Sequence, residues 1–397
     1  MNIVVHDFAG HPGQVQLSRE LARRGHTVEH QYCASVPTGR GAVFARASDP
    51  ASFRVQAIDL GRQFSRYSPI IRIWQELRYA FLTSAAVKKG DPDVAIFANV
   101  PIAALLLITI SLRLRAIPYI FWWQDFYSEG VRVVAETRLG IAGAFIGRAA
   151  RWVERTIARG AATVVPITEA FVSQLDEWDV SPERVHVIPN WAALEELPPR
   201  PRVNPWAEEH ELVDVPVVMY AGTIGLKHDP SAIAKLARRL PEDCRVVIVS
   251  EGSGREWLEM NASEESRLRF LDYQPFEQLP DMLASADILL VMLESNASRY
   301  SVPSKALTYL CAGRPVLAIL PPDNAIALMI QSAGAGIVVS PDDQVGAYAA
   351  LNQLLSDPDL RNQMGMAARR YAELNFHIED VADRFQSVIE KSLKLSN

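Results

Sequence analysis

Two lysines with nearby glycines and serines are the side chains in this sequence best suited to hold an anion. Lys305 lies in "SVPSKALTYL", directly after Ser304, and Lys227 lies in "AGTIGLKHD", two residues after Gly225. The first stretch follows the apolar run "ADILLVML" and opens a helical pattern, which predicts a helix N-terminus at the end of a buried strand. Helix N-termini attract anions through unpaired N–H groups and a partial positive charge. The combination predicts a phosphate or diphosphate site.

Each of these features also has a structural explanation that the sequence leaves open. The serines before the helix could only cap it, Lys305 could be exposed, and the glycines near Lys227 could mark a tight turn. A third strand end, "VSEGSGREW", adds Glu251 and Gly252. Because three successive strand ends of one domain carry glycine or lysine, we favour a nucleotide site over separate structural roles.

The first half of the chain offers a weaker glycine-rich loop and one acidic candidate. "HDFAGHPGQ" places Gly10 and Gly13 between a strand and a helix, without a full G-x-G-x-x-G pattern. "FWWQDFYSE" places Asp125 just after another strand, beside Trp122 and Trp123. A carboxylate there could act as a base or bind a sugar hydroxyl. An ordinary connection and core aromatics would explain the same residues, but we take Asp125 as a candidate catalytic residue.

Short apolar runs alternate with helical patterns along the chain, which predicts strands of parallel sheets buried on both faces. The first runs are "NIVVHD", "HTVEHQY", "VAIFAN", "IPYIFWWQD", "ATVVPIT" and "RVHVIPN", and after a proline-rich stretch the pattern restarts at "VPVVMYAG". This predicts an α/β chain with two doubly wound, Rossmann-like domains facing across a cleft. The predicted parts are a first domain at 1–197, a linker at 198–212, a second domain at 213–375 and a C-terminal helix at 376–397.

Charge is unevenly distributed over a chain of 397 residues that is 49% hydrophobic and long enough for two cores. The net charge is -6, yet residues 1–194 carry 21 Lys/Arg against 17 Asp/Glu and sum to +4, which leaves -10 for the rest. Between residues 61 and 90 six basic residues face Glu76 alone, with aromatics interleaved. That stretch would suit an anionic membrane surface or acceptor. It would equally suit a solvated amphipathic helix over the core.

The sequence predicts no signal peptide, membrane span or metal centre. The cysteines are three and widely spaced, which fits a reducing compartment, and the N-terminus enters a strand directly. The uncharged run 94–112 approaches the length of a span, but Asn99 and Pro101 divide it into a strand and a helix. The eight histidines lack metal-ligand spacing. We predict a cytoplasmic protein that needs no cofactor and no metal.

The second half resembles the retaining glycosyltransferases of family 4, which have the GT-B fold. The similarity runs in order through "MYAGTIGLKHD", "VSEGSGRE", "VPSKALTYLCAGRPVLA" and "AGAGIVVSPDD", across nearly all of residues 216–385. The first half matches more loosely, through "ELARRGHTV", "WWQDFYSE" and "VHVIPNW". The "VPSK" form is most similar to the branch that transfers amino sugars in O-antigen (lipopolysaccharide), capsule and exopolysaccharide assembly. The resemblance also implies a last helix that crosses back to the N-terminal domain.

The resemblance implies a role for individual residues. Lys227 and Lys305, together with Ser304 and the helix N-terminus, would contact the donor diphosphate and stabilise the charge of the leaving group. Tyr273 would frame the nucleotide base. The implied donor-binding set is Gly10, Gly13, Gly222, Thr223, Gly225, Glu251, Gly252, Tyr273, Tyr300, Ser301, Val302, Pro303, Ser304 and Thr308.

Three positions depart from the family pattern. Tyr300 and Thr308 stand where the family often has two glutamates, the second of which binds the ribose, and Thr223 stands where an arginine is frequent. A hydroxyl binds a ribose hydroxyl less strongly than a carboxylate does. We hypothesise that Lys305 replaces the charge of the missing arginine.

The implied reaction moves a hexose or an N-acetylated amino sugar from a UDP-linked donor, with retention of configuration and without a metal. The acceptor would be a polyprenyl-diphosphate-linked glycan, and the basic stretch near Trp74 would dock the first domain peripherally on the inner membrane leaflet. No nucleic acid partner is expected. Two alternatives stay open: a UDP-sugar epimerase of the same fold, and a non-catalytic nucleotide-sugar-binding protein, which the missing glutamates suggest.

Overall fold

Two parallel sheets of six strands organise the computed structural model, which describes residues 1–36, 43–65, 68–225, 227–297 and 301–396. The chain divides into two units: Met1–Asn190 with Ile378–Asn397, and Trp191–His377. Each unit contains one of the sheets, with helices connecting its strands. The prediction of two Rossmann-like α/β domains is confirmed.

The sheet of the first unit has the order β3-β2-β1-β4-β5-β6, and all its neighbouring strands are parallel. The order reverses between β1 and β4, the kind of switch point at which such sheets bind ligands. The strands are β1 Asn2–Asp7, β2 Thr27–Cys33, β3 Phe53–Ile58, β4 Val94–Ala98, β5 Tyr119–Trp123 and β6 Thr163–Pro166. The helices are α1 Pro12–Arg23, α2 Pro69–Gly90, α3 Ile102–Arg113, α4 Tyr127–Leu139, α5 Ile141–Gly160 and α6 Val172–Glu177, with a final helix described below.

One predicted strand of this sheet is wrong and one strand was missed. "RVHVIPN" forms no strand, although it runs beside β6: the N–H groups of His186 and Ile188 donate to Val164 O and Pro166 O at 3.0 and 3.1 Å. The missed strand is β3, which lies at the sheet edge and exposes part of its length. Its mixed sequence "FRVQAI" lacks the continuous apolar run of a central strand.

The second unit repeats the same topology, with the sheet order β12-β11-β10-β7-β8-β9 and parallel neighbours throughout. Its switch point lies between β7 and β10. The strands are β7 Val217–Ala221, β8 Arg245–Val249, β9 Leu268–Leu271, β10 Ile288–Met292, β11 Val316–Ile319 and β12 Gly336–Val339. The helices are α7 Pro205–Glu209, α8 Pro230–Ala237, α9 Ser253–Asn261, α10 Leu279–Ala284, α11 Lys305–Ala312, α12 Ala325–Ala333, α13 Gln344–Ser356 and α14 Pro358–Asn375.

The predicted linker at 198–212 is an integral part of the second unit, which begins at Trp191 and not at 213. The guanidinium of Arg202 donates to Leu212 O and Val215 O at 3.0 and 2.8 Å and pairs with Asp287. Asn204, 5% exposed, caps α7 and also donates to Asp281 O at 3.0 Å. The proline-rich segment is therefore attached to the second unit by the contacts of Arg202 and Asn204.

The last helix, α15 Ile378–Ser396, belongs to the first unit. The ring of Phe385 lies 4.6 Å from that of Trp122, and Ser392 shares a buried hydrogen bond of 2.7 Å with Thr163. Arg24 at the end of α1 pairs with Asp383 at 2.6 Å. The predicted boundary at 376 therefore falls two residues before the start of this helix. In the described part of the chain, no helix combines the length and apolar character needed to cross a bilayer.

Candidate functional site

In the second unit Lys305 folds back onto the end of β7. Its Nζ lies 3.8 Å from the centre of the Tyr220 ring, in contact with the Tyr220 hydroxyl, and 3.5 Å from Thr223 O. Burial lowers the pKa of Lys305 from 10.5 to about 7. Among the residues that the structure describes, no carboxylate hydrogen-bonds to this amine or pairs with it, so an incoming anion would be a strong partner.

Gly222 is what lets Lys305 approach. Its φ of 128° is one that side-chain-bearing residues rarely adopt, and an added Cβ would lie 3.1 Å from both Cε and Nζ of Lys305. The loop after β8 is equally tight, because a Cβ on Gly252, with a φ of 104°, would lie 3.0 Å from Ile224 O. These two predicted glycines therefore allow Lys305 to approach Gly222, and the loop after β8 to approach Ile224, more closely than a side chain would permit.

Lys227 and Ser301 meet at the same edge of the sheet. Lys227 Nζ donates to Ser301 Oγ at 3.0 Å, and the backbone oxygen of Ser301 accepts from Asn324 Nδ2 at 3.0 Å. Asn324 is 1% exposed and also caps α12 through Ile326 N. A buried amide therefore fixes the segment that leads into α11.

The N-terminus of α11 begins at Lys305, four residues after Ser301. Ser304 occupies the N-cap position, and its side chain makes no capping hydrogen bond in the described structure. Ser304 is exposed, Pro303 is buried, and Val302 and Thr308 are half-buried. A cationic side chain and a helix N-terminus therefore lie together at the β7–β10 switch point, and both features favour an anion.

Further predicted residues of this unit form a second small cluster. The hydroxyl of Tyr273 shares a 2.5 Å hydrogen bond with Thr223 Oγ1, and Tyr220 donates to Thr223 O at 3.0 Å. Glu251 is exposed beyond β8, and its backbone oxygen accepts from Ile224 N at 3.2 Å. The half-buried Gly225 contacts His228 Nδ1 at 3.2 Å through its N–H. Tyr300, the remaining predicted contact, lies outside the described residues.

In the first unit the carboxyl end of β1 carries a charged cluster that the sequence analysis did not identify. The Asp7 carboxylate is completely buried and accepts hydrogen bonds from His11 N at 2.5 Å, His11 Nδ1 at 3.0 Å and Asn99 Nδ2 at 2.7 Å. Asn99 has a φ of 60°, a left-handed conformation that is costly for most residues and frequent at functional sites. These residues meet at the switch point between β1 and β4.

Charge stabilises this cluster. Desolvation would raise the pKa of Asp7, but the positive charge of His11 and the hydrogen bonds lower it to about 2. Desolvation would lower the pKa of His11, yet the charge of Asp7 and, after it, that of Asp125 raise it above 6.5. Gly10, with a φ of 76°, turns the loop between β1 and α1, whereas Gly13 already lies within α1 and not in the predicted loop.

Asp125 is exposed after β5, on a loop that a buried glutamate holds in place. Glu154 of α5 is fully buried and accepts from Trp123 Nε1, Tyr127 N and Ser128 N, each at 3.0 Å. Burial raises the pKa of Glu154 to about 7 despite these donors. Glu154 therefore caps α4 and fixes the strand end from which Asp125 projects.

Several of these residues were missed for identifiable reasons. Asp7 and His11 lie in the same "HDFAGHPG" from which the glycines were chosen, and their i, i+4 spacing was the available signal. Glu154 sits in "RWVERTIARG", where it looks like one more charge of a solvated helix. No group of three or more His, Cys, Asp or Glu side chains suited to a metal ion occurs among the residues that the structure describes.

Comparison with known proteins assigns a domain type to most of each unit. The description "Glycosyl transferase 4-like domain" matches residues 12–191, and "Glycosyl transferases group 1" matches residues 216–357. The first match ends at the residue where the second unit begins, and the second lies wholly within that unit. The two sheets therefore correspond to two separately recognised domains.

Individual relatives agree with this assignment. Alpha-D-kanosaminyltransferase of Streptomyces kanamyceticus is 27% identical over 60% of this chain and 63% of its own length. The putative colanic acid biosynthesis glycosyl transferase WcaI of Escherichia coli is 25% identical over 65% of each. The match thus spans less than two thirds of either relative.

A solved structure extends the similarity to nearly the whole chain. Anabaena Alr3699/HepE in complex with UDP and glucose superposes with a TM-score of 0.71 at 13% identity, covering 98% of this chain and 99% of that one. The similarity of the solved structure shows the fold. The two domain matches show that this chain contains a glycosyl transferase 4-like domain followed by a glycosyl transferases group 1 domain.

Proposed function

We propose that this chain transfers a sugar from a UDP-linked donor to a lipid-linked glycan at a membrane surface. The observation that carries the proposal is the pair Lys227 and Lys305, placed with the N-terminus of α11 at the switch point of the second unit. Two amines and a helix N-terminus match the charge of a departing diphosphate. They would stabilise the leaving group without a metal ion or another cofactor.

The donor and its sugar are proposed from the resemblance and from the relatives. One relative is named as a kanosaminyltransferase, and a structural neighbour was solved with UDP and glucose. The side chains of Thr223 and Tyr273 share a hydrogen bond near Lys305. We propose that they contact the nucleotide. We favour a UDP-linked hexose or N-acetylated amino sugar, transferred with retention, which NMR of the product's anomeric proton would test.

The acceptor proposal rests on the surface of the first unit. Helices α2 and α5 each pack against α3, and both combine exposed aromatics with basic residues. On α2, Trp74 and Phe81 are 66% and 74% exposed; on α5, Phe145 and Trp152 are 61% and 63% exposed. The basic residues of the two helices are Arg72, Arg78, Lys88, Lys89, Arg148, Arg151, Arg155 and Arg159. We infer that this surface docks peripherally on an anionic membrane, at the cytoplasmic leaflet. That leaflet would present the proposed acceptor, a polyprenyl-diphosphate-linked glycan. A relative that is named for colanic acid biosynthesis supports a glycan acceptor.

Replacing Trp74 and Phe81 together by Ser should weaken binding to anionic vesicles by about a hundredfold or more, since burying each aromatic contributes about 1.5–3 kcal/mol. Co-sedimentation with phosphatidylglycerol vesicles measures the effect, and wild-type binding should fall at high salt. The matched control replaces Val345 and Met366 of the second unit, which are 74% and 69% exposed, by Ser. Equal binding of the two double variants would contradict membrane docking through α2.

The experiment that tests the function is thermal stabilisation by UDP, GDP, ADP and dTDP without metal, followed by an assay for UDP release. A ligand at a hundred times its dissociation constant should add about 2.7 kcal/mol, which is readily measured. Stabilisation by UDP and acceptor-dependent UDP release are expected. Formation of an epimer without acceptor would favour the epimerase alternative, and binding without turnover would favour a non-catalytic protein. No stabilisation by any nucleotide would refute the proposal.

A further inference from the structure

The loop between β7 and α8 carries a histidine that the sequence analysis did not identify. His228 directly follows Lys227, and its Nδ1 lies 3.2 Å from Gly225 N and 3.3 Å from Gly225 O. Its ring stands edge-on to that of Tyr220, with 6.2 Å between the ring centres. Lys305 Nζ lies 3.8 Å from the centre of the same tyrosine ring. His228 is therefore part of the surroundings of the two lysines, and all of these residues belong to the second unit.

The backbone contacts of Gly225 determine which ring nitrogen of His228 carries the hydrogen. The Gly225 N–H can only donate, so Nδ1 accepts from it through a lone pair. Gly225 O already accepts from the backbone N–H of His228 at 3.1 Å, so it does not require the ring as a donor. An imidazole with a lone pair on Nδ1 is neutral and carries its hydrogen on Nε2. His228 is therefore a neutral ring that donates from Nε2.

The charges around His228 also keep the ring neutral. Burial, followed by the charges of Lys305 on α11 and Lys227 in the same loop, lowers the pKa of His228 from 6.5 to about 3, and a backbone hydrogen bond opposes this shift only in part. The adjacent Asp229 carboxylate accepts from the N–H and hydroxyl of Ser231, both at 2.9 Å, and caps α8. The Nε2–H group is thus present at neutral pH without adding a third positive charge to the lysines.

Nε2 of His228 is accessible to a ligand. Within the described residues the hydrogen bonds of this ring involve Nδ1 alone, and Nε2 is not among the buried polar atoms that lack a partner. The backbone beside the ring is fixed as well, because Glu294 N, after β10, donates to Lys227 O at 2.9 Å. A neutral donor with a fixed direction therefore lies at the β7–β10 switch point, where such sheets bind ligands.

We propose that His228 binds the diphosphate of the sugar donor through Nε2–H and orients it. This inference rests on the proposed function and adds a residue to the donor site of the second unit. Lys227 and Lys305 supply charge, but a lysine ammonium is a point charge on a flexible stem and provides little direction. An imidazole held through Nδ1 donates along one direction. His228 therefore adds orientation to a site that already has charge.

Two substitutions separate this role from a structural role in the loop. Gln carries an amide nitrogen near the position of Nε2, whereas Asn carries an acceptor near that of Nδ1 and no donor near Nε2. His228→Asn should therefore weaken UDP binding about tenfold to a hundredfold, as expected for loss of a hydrogen bond to a charged group, and His228→Gln should stay within about threefold of wild type. A structural role through Gly225 predicts the opposite order. Titration calorimetry of the full chain measures both affinities.

A comparison of ligands shows whether the contact is with the diphosphate. Uridine has no phosphate, so its affinity should be the same in wild type and in His228→Asn, whereas UDP should bind the variant more weakly. The matched control is His377→Asn, at an exposed histidine of the second unit, which should leave both affinities unchanged. Equal losses for uridine and UDP in His228→Asn would overturn the diphosphate contact.

A second measurement reads the ring directly and needs no variant. Nitrogen NMR of the wild type should show the His228 hydrogen on Nε2 and no titration of the ring between about pH 5 and 8. UDP should shift the Nε2–H resonance. A hydrogen on Nδ1, a titration midpoint near 6.5, or unchanged UDP affinity in His228→Asn would each overturn the inference and leave the proposed function intact. A wild type that binds no nucleotide would refute the proposed function and this role together.

Discussion

Lys305→Ala should lower kcat/KM for the nucleotide sugar about a thousandfold, because removal of one preorganised charge from a leaving-group site costs about a hundred- to a thousandfold. The structure supports a large effect, since Lys305 lies against Tyr220 and Thr223 with no carboxylate contact among the hydrogen bonds and ion pairs of the described residues. Its charge is therefore available to a ligand and does not serve an internal ion pair. Steady-state kinetics and UDP stabilisation would measure the loss.

The pH dependence of UDP binding provides a more specific readout of Lys305. The pKa of the free protein's amine is about 7, and a bound diphosphate would raise it, so protonation and binding favour each other. As the pH rises above 7, UDP affinity should fall by up to about tenfold per pH unit. Lys305→Arg stays charged throughout this range and should abolish the fall.

Lys235→Ala is the matched control, because Lys235 is exposed on α8 of the same unit. It should leave both kcat/KM and the pH dependence unchanged. If Lys305→Ala stayed within about threefold of wild type, the amine would have no part in leaving-group stabilisation. The hypothesis that it replaces the charge of an arginine at Thr223 would then also be wrong.

Glu154→Ala should strongly destabilise the first unit, with a loss of about 4 kcal/mol in the free energy of unfolding. Three donors, Trp123 Nε1, Tyr127 N and Ser128 N, would lose their acceptor, and each buried unpaired group costs about 1–3 kcal/mol. Chemical denaturation followed by tryptophan fluorescence measures the change. Activity should fall too, since the Asp125 loop would lose its anchor.

The pH dependence of stability separates Glu154 from other buried groups. Its pKa is raised from 4.5 to about 7, so the folded protein binds the proton more tightly than the unfolded chain does. The resulting stabilisation is complete below pH 4.5 and is lost as pH rises to about 7, a change of roughly 3 kcal/mol. Glu154→Gln should remove this decline, whereas Glu177→Gln, at a 68% exposed side chain, should retain it. An identical pH profile in wild type and Glu154→Gln would contradict the buried proton.

The sequence was most informative where strands are apolar and central. In the second unit, β7 and β10 were anticipated from "VPVVMYAG" and "ADILLVML", because central parallel strands leave continuous apolar runs. β3 was not predicted because an edge strand needs only one buried face. The strand predicted at "RVHVIPN" was wrong because this segment runs beside β6 and donates backbone hydrogen bonds to it without forming a strand. The sequence also did not predict that the second unit begins at Trp191. Arg202 and Asn204 attach this segment through polar contacts, which cannot be recognised from its composition.

The residues of the candidate site likewise divide into those that the sequence pattern reveals and those that only the fold reveals. Lys227, Ser301 and Lys305 were recognised because they follow strand ends in a pattern of glycine, serine and lysine. Asn324, Tyr220 and Glu154 act through long-range contacts, and a single sequence does not reveal which strand end a distant side chain reaches. Asp7 and His11 were within four residues of each other, but only the fold shows that the carboxylate is buried and faces the ring.

The position of α15 has a consequence for the order in which the protein can mature. The first unit needs Phe385 against Trp122 and Ser392 against Thr163, and these partners are synthesised after the whole of Trp191–His377. During synthesis on the ribosome, the second unit is therefore complete before the first unit, although its first residue is made later. Until α15 emerges, β5 and β6 expose apolar surface, so the nascent chain is an expected client of chaperones that bind such surface.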